Sequence, residues 1–436
     1  MVFVACTAIL SWRVLSWSPS VRGDAWSYTA WGQALARGER PLYDPVMTTP
    51  KPLGFALGLL VSPVSPWRAF QVAVIAFLAV FAAALFWGAF RKAGAVGAVV
   101  AVGALGLSTL AGDSLRYGFI DGIVASLVMV ALVTRGPTRV ACLFVAGLAR
   151  PEAWLVCGVA GYTESTGSRI RRLWVGIAAA GAAPLVWVLV DLGLTGDPLA
   201  SFHRGRTIVS TYPGFHPVPL SRVPDVIWSS LDQDVGVLIV LVGTVGVLLQ
   251  ARRGLSEASF DPLPLVVLLV WAVVIAIETR AAPFEARYLY AATTPLLLGA
   301  AVVVGQRLPA RLRGGRALAT LGAIAVLAVT TAAMPVAVSP FNRDLAMAVP
   351  AIERTLTCGR IRIISRTRPH HPDAVALLAT LTHRRLNEFR AQPTDPTLAA
   401  ILVLGGRPRR PNGWTGPHFG SLTLALSPRC DRKTAP

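Results

Sequence analysis

Long apolar runs alternate with short polar joints along most of this chain. A run of roughly 20 apolar residues is long enough to cross a bilayer as a helix. Such runs cover 2–17, 69–90, 94–111, 118–134, 140–162, 173–193, 234–250, 263–279, 287–305 and 317–338. The first competes with a secretory signal. It has no basic start and no small-residue cleavage site, and it holds Arg13 and two Trp, so it reads as a retained anchor. After 338 the pattern shortens. "GRIRIIS", "LAAILVLGG" and "SLTLALS" read as strands, and "PDAVALLATLTHRRLNEF" as an amphipathic helix. The expected architecture is an all-α polytopic membrane protein of about 9–11 transmembrane helices over 1–340, followed by a small α/β domain over 341–436.

Composition agrees with the pattern. Of 436 residues, 54% are hydrophobic and 14% charged, where a soluble globule carries about a quarter charged. The net charge is +19. Its basic residues gather in short joints, which is how a polytopic chain fixes its orientation rather than how a protein binds nucleic acid. Arg91 and Lys92, Arg135 and Arg139, Arg169 with Arg171 and Arg172, Arg252 and Arg253, and the run 307–316 are expected in the cytoplasm. Loops 18–68, 112–117, 194–233 and 280–286 then lie outside, in a multi-pass plasma-membrane protein.

One segment breaks the parity. Residues 140–162 have basic clusters at both ends and "LARPEAW" in the middle. Two half-helices meeting at Arg150-Pro151-Glu152, a re-entrant hairpin, restore the count and place the C-terminal domain outside. Irregular backbone at membrane depth survives only inside protein or beside a wet cavity. Arg150 and Glu152 there pair with each other, with a ligand, or serve only to fix the hairpin. Cys358 and Cys430 bracket the outer domain and are expected to form a disulfide in an oxidising compartment. His370, His371 and His383 follow no zinc spacing and read as solvated surface.

The first outer loop carries candidate chemistry. Asp24 stands in "RGDAWSYTAW" and Lys51 in "TTPKPLGF". A carboxylate at the membrane face can take a proton from a hydroxyl, or it can cap the following helix. A lysine there can hold a phosphate, or it can snorkel.

The order of these stretches resembles the GT-C glycosyltransferases, near the protein O-mannosyltransferase and aminoarabinose transferase families, and membrane proteins of actinobacterial type. The matching stretches are the Asp24 loop, Lys51-Pro52-Leu53, "RYGFIDGIVASL", "LARPEAW", "TGDPLASFHRGR" and "EARYLYAATTPLLL". They span roughly 15–300. The sequence departs from the family at Asp24-Ala25, where many relatives have two acids, and after Lys51, where only one Pro follows. The resemblance implies transfer of a sugar, of mannose or arabinose type, from a polyprenyl phosphate on the outer side, with inversion. Asp24 is then the general base and Asp121 a second catalytic acid, with Asp113 its neighbour and competitor. Lys51, Arg116, Arg150 and Arg287 would stabilise the leaving phosphate. Glu152, His203, Tyr28 and Tyr288 would touch substrate, and loop 194–233 would cover the site. The acceptor would be a glycolipid, a polysaccharide or a protein. No cofactor is indicated, although a divalent metal is compatible with the chemistry. A carrier or lipid-linked-sugar flippase is the alternative, and a scaffold presenting the C-terminal domain a third reading. Only one broken helix appears, without the partner an inverted repeat would supply.

Overall fold

The computed structural model describes residues 23–43, 49–62, 69–211, 218–257, 260–281, 286–307, 340–365, 398–404, 417–419 and 422–428, together with 378, 382, 389, 414 and 430. The candidate spans 2–17 and 317–338, most of the expected helix 372–389, and the three histidines His370, His371 and His383 lie outside these residues. The helices run α1 Gly23–Ala36, α2 Pro52–Val61, α3 Ala69–Leu107, α4 Thr109–Tyr117, α5 Ile120–Val133, α6 Pro137–Gly147, α7 Glu152–Glu164 and α8 Arg169–Thr195. They continue as α9 Ala200–Thr211, α10 Val223–Val235, α11 Val237–Ser256, α12 Leu263–Ala281, α13 Tyr290–Arg307 and α14 Pro340–Leu356, with 3-10 turns at Leu220–Arg222 and Ala286–Leu289. Four stretches among the described residues, 72–107, 169–195, 237–256 and 287–307, are long and apolar enough to cross a membrane. Shorter apolar helices accompany them.

Two units emerge. One comprises 1–16, 51–53 and 72–335; the other comprises 17–50, 54–71 and 336–436. In the larger unit α13 is the central helix and is mostly buried, whereas α8 presents Leu173, Trp174, Leu185 and Leu189 outward, as a lipid-facing helix does. Gly243 and Gly246 let α11 close onto the backbone of α13 at Leu296 and Gly299, where a Cβ would overlap a carbonyl oxygen. Small residues permit this close approach between membrane helices.

The apolar runs 69–90 and 94–111 are helical from Ala69 to Leu107, and Gly94 (φ 74°, ψ −167°) breaks the helical path between them, as the sequence divided them. Glycine is the residue that tolerates a positive φ at low cost. Residues 112–117, expected as a loop, are the second half of α4. Ser108 accepts from the Ala111 amide at its start, and Gly118 closes it in the left-handed conformation. The span expected over 234–250 begins instead at Val237, after Gly236 ends α10.

The hairpin at 140–162 is present. α6 and α7 have 11 and 13 residues, so each rises about 16–20 Å at 1.5 Å per residue, too little to cross a hydrocarbon core of about 30 Å. Their outer ends return to one another. The Gly136 amide donates to Glu164 Oε2 at 2.7 Å, and Arg139 Nη1 lies 2.9 Å from Glu164 Oε1. Arg139 is 1% exposed and also bonds both oxygens of Asp261 and the carbonyls of Ala131 and Thr134. A buried guanidinium is tolerable only when its donors are this fully engaged.

The smaller unit holds two structured parts. In the first loop, Trp31 packs against Tyr28, Tyr43 and Phe55, and Tyr28 lies against Gly54. The C-terminal part is a four-stranded sheet ordered β1-β2-β4-β3, from Arg360–Ser365, Leu398–Leu404, Leu422–Leu426 and His418–Phe419. β1 and β2 are parallel; β4 is antiparallel to β2 and β3. Every residue of β4 is buried, as befits a strand covered on both faces. α14 packs on this sheet and presents Asp344, Ala348, Ile352 and Leu356, spaced four apart, inward.

Cys358 and Cys430 are joined by a disulfide, with Cα atoms 5.6 Å apart and 72 residues of separation. Closing a loop of that length limits the unfolded chain by about 4 kcal/mol in the entropy model. Reduction, or Cys430→Ser, should therefore lower the melting temperature of the C-terminal part. A mobility change between reducing and non-reducing gels checks the bond itself.

Candidate active site

Proline sets the hairpin tip. It cannot continue a helix from within, because it lacks the amide proton and clashes with the preceding turn. α6 therefore ends at Gly147, Pro151 takes the N-cap position, and α7 starts at Glu152. The carbonyls left over at the end of α6 find donors. Trp154 Nε1 and Trp187 Nε1 both donate to Gly147 O, at 2.8 and 3.0 Å, and the Leu53 amide donates to Leu148 O at 3.0 Å. That last bond joins an unpaired helix-end carbonyl to an unpaired helix-start amide, and it draws Lys51, two residues earlier, to the tip.

Four stretches of the chain meet at this tip. Asp121 lies in the first turn of α5, 3% exposed. Arg150 Nε donates to Asp121 Oδ1 at 2.6 Å, and its Nη2 contacts the same oxygen. Arg287 Nη1 lies 3.6 Å from Asp121 Oδ2. Arg150 Nη1 lies 3.9 Å from Glu152 Oε1, so Arg150 belongs first to Asp121 and only loosely to Glu152. Arg150 stacks over the ring of Tyr288 at 4.1 Å, and Arg287 over that of Phe119 at 4.2 Å, contacts that hold both guanidinium planes in place. Lys51, 8% exposed, acts electrostatically on Asp121 and Glu152. Lys51, Asp121, Arg150, Glu152, Arg287 and Tyr288, all singled out in the sequence, thus form one cluster, in which Arg287 and Tyr288 are half-buried and the others buried.

The other sequence candidates belong to other elements or are only partly described. Asp24 sits inside the first turn of α1 rather than ahead of it. Tyr28 is fully buried, and its hydroxyl donates to the Thr49 carbonyl at 3.3 Å. The backbone of Arg116 lies in α4; its side chain is outside the described residues. His203 is on the exposed side of α9, with Nδ1 2.7 Å from Asp197 Oδ2. The Leu199 amide, and then His203, hold the Asp197 carboxyl below its ordinary range. Loop 194–233 contains α9 and α10. Phe202 of α9 packs on Trp154 and Trp187 beside the hairpin tip. Among the described residues no three His, Cys, Asp or Glu side chains come together as metal ligands.

A second acidic pair was not legible in the sequence. Thr109 Oγ1 donates to Asp234 Oδ1 at 3.0 Å, and the Tyr290 hydroxyl lies 3.5 Å from Asp113 Oδ2. Burial pushes the Asp234 carboxyl up to about 8; the charge of Asp113 adds to this, and the Thr109 hydrogen bond opposes it. The folded chain therefore holds a proton that the unfolded chain has lost above about pH 4, and this contribution to stability falls as pH rises from there to about 8. Asp234→Asn keeps the shape without the proton. Its melting temperature should exceed that of the wild type by a few degrees at pH 8 and match it near pH 4, as a thermal-shift series across pH would show.

No protein-family model matches the chain, and no curated protein matches it in sequence. Solved structures do. The aminoarabinose transferase ArnT from Cupriavidus metallidurans, bound to undecaprenyl phosphate, matches with TM-score 0.56 and 12% identity over 97% of both chains. Its apo form matches with TM-score 0.59 and 13% identity, over 97% of this chain and 96% of that one. An oligosaccharyltransferase from Archaeoglobus fulgidus matches with TM-score 0.50 and 14% identity, over 92% of this chain and 68% of that one. The chain thus shares the fold of ArnT and of this oligosaccharyltransferase.

Proposed function

We propose that this chain is a membrane glycosyltransferase that moves a sugar from a polyprenyl-phosphate donor to an envelope acceptor. The observation that carries the reading is the buried meeting of Arg150, Arg287 and Lys51 around Asp121 at the hairpin tip. Cations withdrawn from water form a preorganised site for phosphate charge that grows as the glycosidic bond breaks. The fold supports it, since ArnT of the same fold was solved with undecaprenyl phosphate. The acceptor oxygen attacks the anomeric carbon, the bond to the phosphate oxygen breaks, and the polyprenyl phosphate departs onto the cations. Asp24 takes the acceptor proton. A single displacement inverts the anomeric centre, through a state of oxocarbenium character.

The reaction is assigned to the extracytoplasmic face. The loop carrying Asp24 and the C-terminal sheet belong to one compact unit, which supports both lying on one side of the membrane, and the disulfide supports an oxidising side. The sugar is of mannose or arabinose type, on an acceptor that is a glycolipid, a polysaccharide or a protein, in an actinobacterial type of envelope. Membranes containing the chain should transfer radiolabel from polyprenyl-phosphate mannose or arabinose to an endogenous acceptor. Membranes lacking it should not, and equal transfer in both would remove the proposal.

A further inference from the structure

Glu152 is 0% exposed, yet neither carboxylate oxygen accepts a hydrogen bond from another described residue. Its company is its own backbone amide and, at 3.9 Å, Arg150 Nη1. A buried polar atom without donors is costly and calls for an explanation. Here the position supplies one. Glu152 is the first residue of α7, at the tip of a hairpin clamped by Arg139 at its base and by two tryptophans at its head. A carboxylate held this firmly, facing the cation cluster, is set to receive hydroxyl donors from a ligand.

The charges of the cluster narrow that ligand. Among the described side chains of the cluster, Arg150, Arg287 and Lys51 oppose Asp121 and Glu152, which leaves one positive charge in excess. A sugar linked through a phosphodiester brings one negative charge and balances it, provided that the sugar itself is uncharged. Building on the donor reading above, we propose that Glu152 is the acceptor that recognises two adjacent hydroxyls of an uncharged sugar on the lipid phosphate, while the arginines hold the phosphate. Sugar and phosphate recognition are then separable within one site: the bare lipid phosphate uses the cations only, and the glycosylated lipid uses Glu152 as well.

The test compares the affinities of the full chain in nanodiscs for undecaprenyl phosphate, undecaprenyl-phosphate mannose and undecaprenyl-phosphate arabinose. The wild type should bind one of the glycosylated lipids at least tenfold more tightly than the bare lipid. Glu152→Gln should bring that ratio to within about twofold of unity and bind the bare lipid at least as tightly as the wild type, which also shows that the variant is folded. Where Gln does not fold, Glu152→Asp keeps the charge, withdraws it by one methylene and should weaken the same preference. A preference retained by the variants, or no preference in the wild type, overturns the role of Glu152 while leaving the lipid-phosphate reading intact. Failure of the wild type to bind the bare lipid removes the donor reading, and this inference with it.

Discussion

Asp24→Asn should lower sugar transfer by about 10²–10⁴-fold at equal expression, the range by which a positioned general base accelerates a reaction. The substitution isolates proton transfer. Asp24 lies in the first turn of α1, where a carboxylate gains only about 0.3–1 kcal/mol from the helix dipole. Asparagine keeps the side-chain shape and loses only that small term, so folding should be preserved. The affinity for bare polyprenyl phosphate should not change, because no proton moves when the lipid binds. Transfer measured alongside lipid affinity and melting temperature checks all three. Undiminished transfer would move the base to Asp113 or Asp121.

Arg150→Met should act on stability and activity together. It leaves the Asp121 carboxylate buried, with Arg287 at 3.6 Å as its remaining arginine. Breaking a buried pair from one side costs roughly 3–5 kcal/mol, because the remaining charge is stranded. Asp121→Asn should cost a similar amount. The double variant should cost clearly less than the two single losses combined, since residues sharing one ion pair are not additive. Transfer in Arg150→Met should also fall by about 10²-fold or more, as when one preorganised donor is removed from a developing charge. Melting curves of the four proteins measure the coupling. Strictly additive losses would mean that Arg150 and Asp121 do not act as a pair.

The site was readable because charge inside an apolar run is expensive and therefore conspicuous. Asp121, Arg150, Glu152 and Arg287 each interrupt or flank such a run, and the proline between Arg150 and Glu152 announced the hairpin. What sequence could not give was the pairing. Arg150 and Glu152 are two apart and invited a mutual bond, yet the guanidinium turns to Asp121, 29 residues away, because the start of α5 packs at the tip. Asp234 was missed for a related reason. It looks like an ordinary acid at the start of the run 234–250, and only the packing of α10 on α4 buries it against Thr109. α14 was missed because its stripe of one inward residue in four is narrow and follows directly on an apolar run. Gly94 shows the opposite case. The basic pair Arg91 and Lys92 marked a division between two apolar runs, and the backbone break falls two residues later.

Proteoliposomes holding the purified chain distinguish cleavage of a lipid-phosphate sugar from its movement across the bilayer. A donor labelled in both its sugar and its lipid, supplied with an envelope acceptor fraction, lets cleavage be counted apart from movement. One polyprenyl phosphate should be released for each sugar transferred, and Asp24→Asn should release neither. Donor that crosses the bilayer intact, with its sugar still attached and no phosphate released, would contradict cleavage and identify a carrier.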